Sequence, residues 1–218
     1  MITGRRQDER ADHAAQTVRS RYNRVARVYD LEQLFEEPIA FGRLRKALWA
    51  DAPAIGSILE VGVGTGVNMR HYPPGAKMTA IDISDRMLAK ARGRAERTQV
   101  RVDLGLMDAQ HLDFADGTFD AVVATCVFCS VPDPIAGLRE VLRVLKPGGR
   151  ALLLEHVRSS NPVMGKMMDL MNPIAVRMSG ANINRRTVEN VRGAGFTALD
   201  IESHALGMIK TIRATKAA

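Results

Sequence analysis

Cysteine is scarce in this chain: its 218 residues include two, Cys126 and Cys129, in one apolar run. A redox pair needs an exposed, electropositive helix start, and a zinc site needs two further ligands. Neither surrounds this pair, so both are read as buried thiols in a reducing compartment. Long apolar runs are missing as well. No segment approaches the roughly 20 residues that span a bilayer, and the first ten residues lack the apolar stretch of a secretion signal. The chain is therefore expected to be cytoplasmic. The five histidines (His13, His71, His111, His156 and His204) are scattered without ligand spacing, and no metal is expected. Aromatic residues make up 5% of the chain and are not interleaved with its basic residues. Stacking platforms for flipped or single-stranded bases are thus poorly supplied, which argues against a nucleic-acid partner.

What the chain does have is positive charge and a sizeable apolar fraction. Its formal net charge is +7. A balance of that size points to an anionic membrane, nucleic acid or an acidic substrate, or else to a well-solvated surface. Apolar residues make up 46% of the 218 positions, enough for one core and one domain over 1–218.

Residues 1–12 are polar and charged and predict a disordered start. From His13 to Tyr29 apolar positions recur every three to four residues (Ala14, Val18, Tyr22, Val25 or Ala26, Tyr29), which predicts an amphipathic helix. Its other face carries Arg19, Arg21, Arg24 and Arg27. A second helix is expected over 38–50, ended by Asp51-Ala52-Pro53. Then the pattern changes to short apolar runs: Ile58–Val61, Met78–Asp82, Val100–Leu104, Ala121–Thr125 and Ala151–Glu155. Helical stretches separate them, over 66–72, Asp85–Arg97 and Pro134–Leu145, with Pro147-Gly148-Gly149 as a stop and turn. Such alternation implies parallel βαβ units in a doubly wound α/β sheet. Residues 156–190 break the pattern as an insertion that holds Met164, Met167, Met168, Met171 and Met178. A helix over Thr187–Ala194 and strands over Phe196–Ser203 and Met208–Thr215 close the chain, the last two as an antiparallel hairpin.

Gly62, Gly64 and Gly66 stand in G-x-G-x-G spacing directly after a strand, where the chain must turn and a ligand must approach backbone without a Cβ in the way. A dinucleotide fingerprint needs glycine one position later, at 67, which is Val67. Glu60, inside the strand, is ill suited to a pyrophosphate neighbour and suits a cofactor with a cationic amino group and sulfonium. Asp82 falls at the end of the next strand, where a carboxylate accepts from ribose hydroxyls. A third acidic strand end, Met107-Asp108-Ala109, places Asp108 for an adenine amino group, with Met87 or Ile83 packing on the ring.

With Leu59–Gly66, Ile81–Ser84, Asp116–Asp120 and Leu142–Gly149, the chain resembles the class I S-adenosylmethionine-dependent methyltransferases over nearly its whole length. The resemblance implies a Rossmann-like, doubly wound seven-stranded sheet, mostly parallel with an antiparallel last strand. N-terminal helices (1–50) form a lid, and 156–190 lies on the substrate side. It implies S-adenosylmethionine held by Tyr29, Glu60, Gly62, Gly64, Gly66, Asn68, Asp82, Ile83, Met87, Met107, Asp108, Ala109, Thr125 and Cys126. Within the superfamily the chain looks like the branch of quinone C-methyltransferases and bacterial phosphatidylethanolamine N-methyltransferases. Thr125–Val131, Leu154–Val157 and Gly180–Asn184 also resemble membrane-associated thiol methyltransferases.

In an open α/β sheet the acceptor lies beyond the carboxyl ends of the strands, which selects Thr125–Val131, Glu155 and His156. His156 has the unperturbed pKa of a general base. Glu155 would orient it, hold a cationic head group, or simply cap a helix. Tyr29 resembles the tyrosine that family members fold over the cofactor. The basic helix 13–29 and the methionines of the insertion flank the same mouth; flexible methionines suit apolar ligands, and a basic amphipathic helix suits anionic lipid. The expected acceptor is lipidic or membrane-associated, first the amine of phosphatidylethanolamine, then a quinone ring carbon or a small thiol, and remotely a nucleic acid.

Overall fold

The structure, a computed structural model, describes residues 2–26 and 39–218. Helices α1 (Ile2–Val25) and α2 (Ile39–Ala50) precede a sheet of seven strands. The strands are β1 (Ile55–Val61), β2 (Gly75–Asp82), β3 (Asp103–Leu106), β4 (Phe119–Thr125), β5 (Leu145–His156), β6 (Ala198–His204) and β7 (Ile209–Thr215). Between them run a 3-10 turn (Val67–His71), α3 (Asp85–Thr98), α4 (Pro134–Val144), α5 (Pro162–Ser179) and α6 (Thr187–Gly193).

The sheet order is β3-β2-β1-β4-β5-β7-β6. β1 to β5 are mutually parallel, and β7 runs antiparallel to both β5 and β6. This is the expected doubly wound, mostly parallel α/β sheet with an antiparallel last strand. Chain order reverses between β1 and β4, so the crevice at their carboxyl ends is the switch point where ligands bind.

Burial explains the strand sequences. Alternate residues of β4 enter opposite cores: Val122 and Ala124 pack with Leu138, Val141 and Val191, while Ala121 and Val123 pack with Leu48 and Trp49. A central strand covered on both faces is necessarily a continuous apolar run. Helix starts follow their caps. The Ser84 hydroxyl accepts from Met87 N at the head of α3, the Asp133 carboxylate from Ile135 N and Ala136 N before α4, and the Asn161 side chain from Val163 N and Met164 N before α5. Proline sits in the first turn of the latter two.

Several boundaries differ from expectation: β1 and β2 each begin three residues earlier, and the third strand is Asp103–Leu106 rather than Val100–Leu104. The first helix begins at Ile2, so the 2–12 backbone is helical rather than disordered. Arg, Gln, Glu and Ala there are good helix formers, and a helix already nucleated over 13–25 propagates into them at little cost. The same helix ends at Val25, short of 29. The Pro147-Gly148-Gly149 turn belongs to an irregular start of β5, where the pairing with β4 shifts register between Phe119 and Ala121.

Candidate active site

The loop after β1 turns on three left-handed residues, with φ of +69° at Gly62, +55° at Gly64 and +82° at Gly66. A Cβ at Gly62 would stand 2.5 Å from Val127 Cγ2, and one at Gly66 2.9 Å from Met69 Cε. Backbone conformation and close packing both require glycine there. The loop is fixed by Gly62 N and Val63 N donating to Ile81 O (2.8 and 3.0 Å) and by Gly66 N donating to Val63 O (2.9 Å). Gly64 N donates to Asp82 Oδ2 at 2.8 Å, and Ser84 N to Asp82 Oδ1 at 2.9 Å. Burial pushes the Asp82 carboxyl up, against the pull of these backbone N–H groups.

A concave cavity opens at this point, the setting in which small-molecule sites are usually built. Gly62, Gly64 and Asp82 line it together with Ile83 and Met87. Met107, Asp108 and Ala109 form a second wall, and Thr125 and Cys126 a third. Ten of the expected cofactor residues therefore meet at one cavity. Gln110, which sequence reasoning missed, holds the Asp108 carboxylate: its Nε2 donates to both oxygens at 3.1 and 2.9 Å, and its backbone N to Oδ1 at 2.9 Å. Its own Oε1 accepts from Asp133 N at 2.9 Å, tying this wall to the start of α4.

Val18 and Tyr22, one helical turn apart on α1, close the cavity from above. Tyr29 lies outside the described residues; among the described ones, the tyrosine at the cavity is Tyr22. Its position on the apolar stripe of 13–29 was the available signal. Asn23 docks this roof on the head of α3: its Oδ1 accepts from Ser84 Oγ at 2.5 Å, and its Nδ2 donates to Asp85 Oδ1 at 2.8 Å.

Glu60 does not face the cavity, contrary to expectation. It is fully buried, accepting from Asn68 Nδ2 at 2.6 Å and from the Tyr72 hydroxyl. Asn68 Nδ2 also donates to Thr125 Oγ1 at 2.9 Å, and Arg45 Nη1 donates to Asn68 Oδ1 (2.9 Å) and Thr125 Oγ1 (3.0 Å). Burial raises the Glu60 carboxyl to about 7, although Tyr72, Asn68 and Arg45 all favour its charged form. Glu60, Asn68 and Gly66 thus lie behind the cavity wall and support it. A strand residue two positions before the glycine loop points beneath the sheet end, and its partners Arg45 and Tyr72 come from elements that no spacing rule connects to it.

The expected catalytic pair is corrected in the same way. Glu155 is fully buried and lines no part of the cavity. Its Oε1 accepts from Val127 N (2.9 Å) and Phe128 N (3.1 Å), so it clamps the loop after β4 from behind; burial raises its carboxyl to about 7. His156, the next residue on β5, points to the other face. It is half-buried, absent from the cavity wall, and its imidazole is pulled down by burial. The insertion supports that loop too: Arg185 donates to Cys129 O (3.3 Å) and Val131 O (2.7 Å), and Asn182 N to Cys129 O (2.9 Å). Met164, Met167, Met168 and Met171 line no part of this cavity. Cys129 is buried, while Cys126, at φ +55°, faces the cavity. Among the described residues no cluster of three His, Cys, Asp or Glu side chains is placed to hold a metal.

A family model described as a methyltransferase domain matches residues 59–153, from the end of β1 through most of β5. The chain is 30% identical over 216 residues to the ubiquinone/menaquinone biosynthesis C-methyltransferase UbiE of Desulfotalea psychrophila, covering 88% of this chain and 87% of that protein. It is 40% identical over 111 residues to a phosphatidylethanolamine N-methyltransferase of Cereibacter sphaeroides, covering 50% and 55%. To the human thiol S-methyltransferase TMT1A it is 33% identical over 151 residues, covering 67% and 62%. The match therefore spans less than two thirds of the length of the last two relatives.

Proposed function

The chain belongs to the S-adenosylmethionine-dependent methyltransferase family, and from that premise we propose that it methylates a lipidic or membrane-associated acceptor, first the amine of phosphatidylethanolamine. The observation that carries this reading is the wall given to the cavity by α1 and by the loop after β4. Val18, Val127, Val131 and Pro132 make it apolar, with Tyr22 and Ser130 as its hydroxyls. Such a wall suits the apolar shoulder of an amphiphile rather than a highly charged soluble acceptor. The 40% identity to the phosphatidylethanolamine enzyme supports the same choice.

The glycine cradle, buried Asp82 and Gln110-held Asp108 fit the family cofactor. Asp82 would accept from the ribose hydroxyls, Asp108 from the adenine amino group, and Ile83 and Met87 would pack on the ring. The bound cofactor supplies a methyl already activated on a sulfonium. What remains for the protein is alignment, worth about 7–11 kcal/mol of the barrier when well made. Glu60 and Glu155 serve this as positioning residues, one fixing Asn68 and Thr125, the other fixing the 127–128 backbone. An ammonium acceptor must lose a proton before attack, and Tyr22 and Ser130 are the wall hydroxyls able to hold it and pass that proton to solvent.

Residues 1–50 then act as a lid and 156–190 as the substrate-side insertion. The basic side of α1, with Arg19, Arg21 and Arg24, is offered to anionic lipid, although Arg19 also pairs with Asp85 at 3.4 Å. Among the described residues no helix is long and apolar enough to cross a membrane, so lipid would be reached from a surface.

Quinone-ring C-methylation is the second reading, favoured by a match over 87% of a C-methyltransferase. One assay separates them: methyl-labelled cofactor incubated with phosphatidylethanolamine vesicles, a demethylated quinol or a small thiol. Label in the lipid is expected. Label in quinol or thiol with none in lipid overturns the first choice.

A further inference from the structure

Helix α5 packs one side firmly against the body and leaves the other bare. On its inner side Met168 is buried, with its sulfur accepting from Ser159 N at 3.3 Å, and Asn172 Oδ1 accepts from Ile183 N at 2.9 Å. On its outer side Val163 and Leu170 are each 78% exposed, and Met167, Met171 and Ile174 are also exposed. At about 100° per residue these five side chains fall within one arc of about 100°. Lys166 and Arg177, both exposed, run along one edge of it. The single acidic residue of the helix, Asp169, lies beyond them and is taken up by Arg158 at 2.9–3.1 Å.

A second element reinforces this face. The tight turn before β7 places three consecutive residues in the left-handed region, with φ of +46° at Ala205, +56° at Leu206 and +79° at Gly207. Two of the three are not glycine, which is unfavourable and marks a conformation the surroundings impose. The Leu206 carbonyl is pinned by the Ser159 hydroxyl at 2.8 Å. The result is a leucine 76% exposed, which shares an open hollow with Val163, Met164 and Met167. Ser160 belongs both to that hollow and to an adjoining recess lined by Arg158, Arg185, Arg186, Lys210 and Glu189, in which Arg158 is ion-paired with Asp169 and Arg185 also donates to the Cys129 and Val131 carbonyls.

We propose that the outer face of α5, Leu206 and the basic recess beside them form an interfacial docking surface that seats the protein on an anionic phospholipid layer. Charge complementarity selects this occupant. The apolar arc matches acyl chains, while its Lys-Arg edge and the recess match lipid phosphates. A second copy of a chain with net charge +7 would bring like charges against that edge, with no acidic side chain on the arc to receive them. The surface is separate from the roof formed by Val18 and Tyr22, so the cavity need not be covered by docking. It does not depend on which acceptor is methylated.

The test is co-sedimentation of the full chain with phosphatidylcholine vesicles, with and without phosphatidylglycerol. The wild type is expected to bind the anionic vesicles strongly and the neutral ones weakly. Leu170→Gln/Ile174→Gln should lower the partition coefficient at least about tenfold. Lys166→Gln/Arg177→Gln should lower it several-fold on anionic vesicles, the loss shrinking in high salt. These positions are exposed, and unchanged melting and unchanged cofactor binding by calorimetry verify that each variant is folded. Three results overturn the proposal: no vesicle binding by the wild type, wild-type binding by Leu170→Gln/Ile174→Gln, or a wild-type dimer by light scattering that this variant renders monomeric. Because the readout contains no turnover, its failure leaves the acceptor assignment standing, and a different acceptor leaves the docking surface standing.

Discussion

Replacing Glu60 by glutamine tests the assignment of this residue to buried support. In the unfolded chain its carboxyl ionises near the ordinary 4.5, and in the folded chain burial holds its proton to about 7. Between those values the folded state binds more protons, so this group lowers stability as pH rises and its cost is complete above pH 7. At 1.36 kcal/mol per unit, the cost is under about 1 kcal/mol at pH 5 and about 3 kcal/mol at pH 8. Glutamine keeps an oxygen for Asn68 Nδ2 and a polar group for the Tyr72 hydroxyl at nearly the same volume, and it cannot ionise. Urea unfolding at several pH values should therefore show Glu60→Gln gaining on the wild type by about 2.5 kcal/mol between pH 5 and pH 8. A residual fall in stability over the same range is expected in the variant, because Glu155 is raised in the same way. Parallel curves for the two proteins would refute the reasoning and show Glu60 to be solvated.

Three further outcomes follow from the geometry. Gly62→Ala must place a Cβ 2.5 Å from Val127 Cγ2 at φ +69°, costing about 2–4 kcal/mol in urea unfolding, with Gly62→Ala/Val127→Ala recovering part of it as the clash is relieved and the backbone cost remains. His156→Ala should retain at least about a tenth of wild-type kcat, since the imidazole is off the cavity wall; a loss of 10²–10⁴-fold would reinstate it as a general base. Asp82→Ala removes the acceptor of Gly64 N and Ser84 N and should weaken cofactor affinity by at least tenfold in calorimetry, about 1.5–3 kcal/mol for a charged hydrogen-bond partner; unchanged affinity would remove Asp82 from the site.

The parallel sheet, the glycine turn and the carboxylates Asp82 and Asp108 were legible in the sequence because each is local. A buried strand has to be an apolar run, a left-handed turn packed as closely as Gly62 on Val127 and Gly66 on Met69 has to be glycine, and a strand end is placed by the strand before it. Which side of a wall a side chain occupies is not local. Glu60, Glu155 and His156 have the residue types a site requires, and tertiary packing turned the first two into buried anchors and carried the third to another face. The same packing decided that Tyr22 roofs the cavity, that Gln110 holds Asp108, and that Arg45 from α2, Asn68 and Tyr72 from the 3-10 turn and its end, and Thr125 from β4 converge around Glu60. The methionine-rich stretch of α5 could be recognised by composition, but its orientation could not: only the contacts of Met168 and Asn172 with the body determine which side remains exposed. Sequence by itself determined the glycine loop and the carboxylates Asp82 and Asp108 beside it, where position follows from spacing along one chain segment. The opposite wall of the cavity was decided by long-range packing, because it is drawn from α1 and the loop after β4, which the insertion braces from behind.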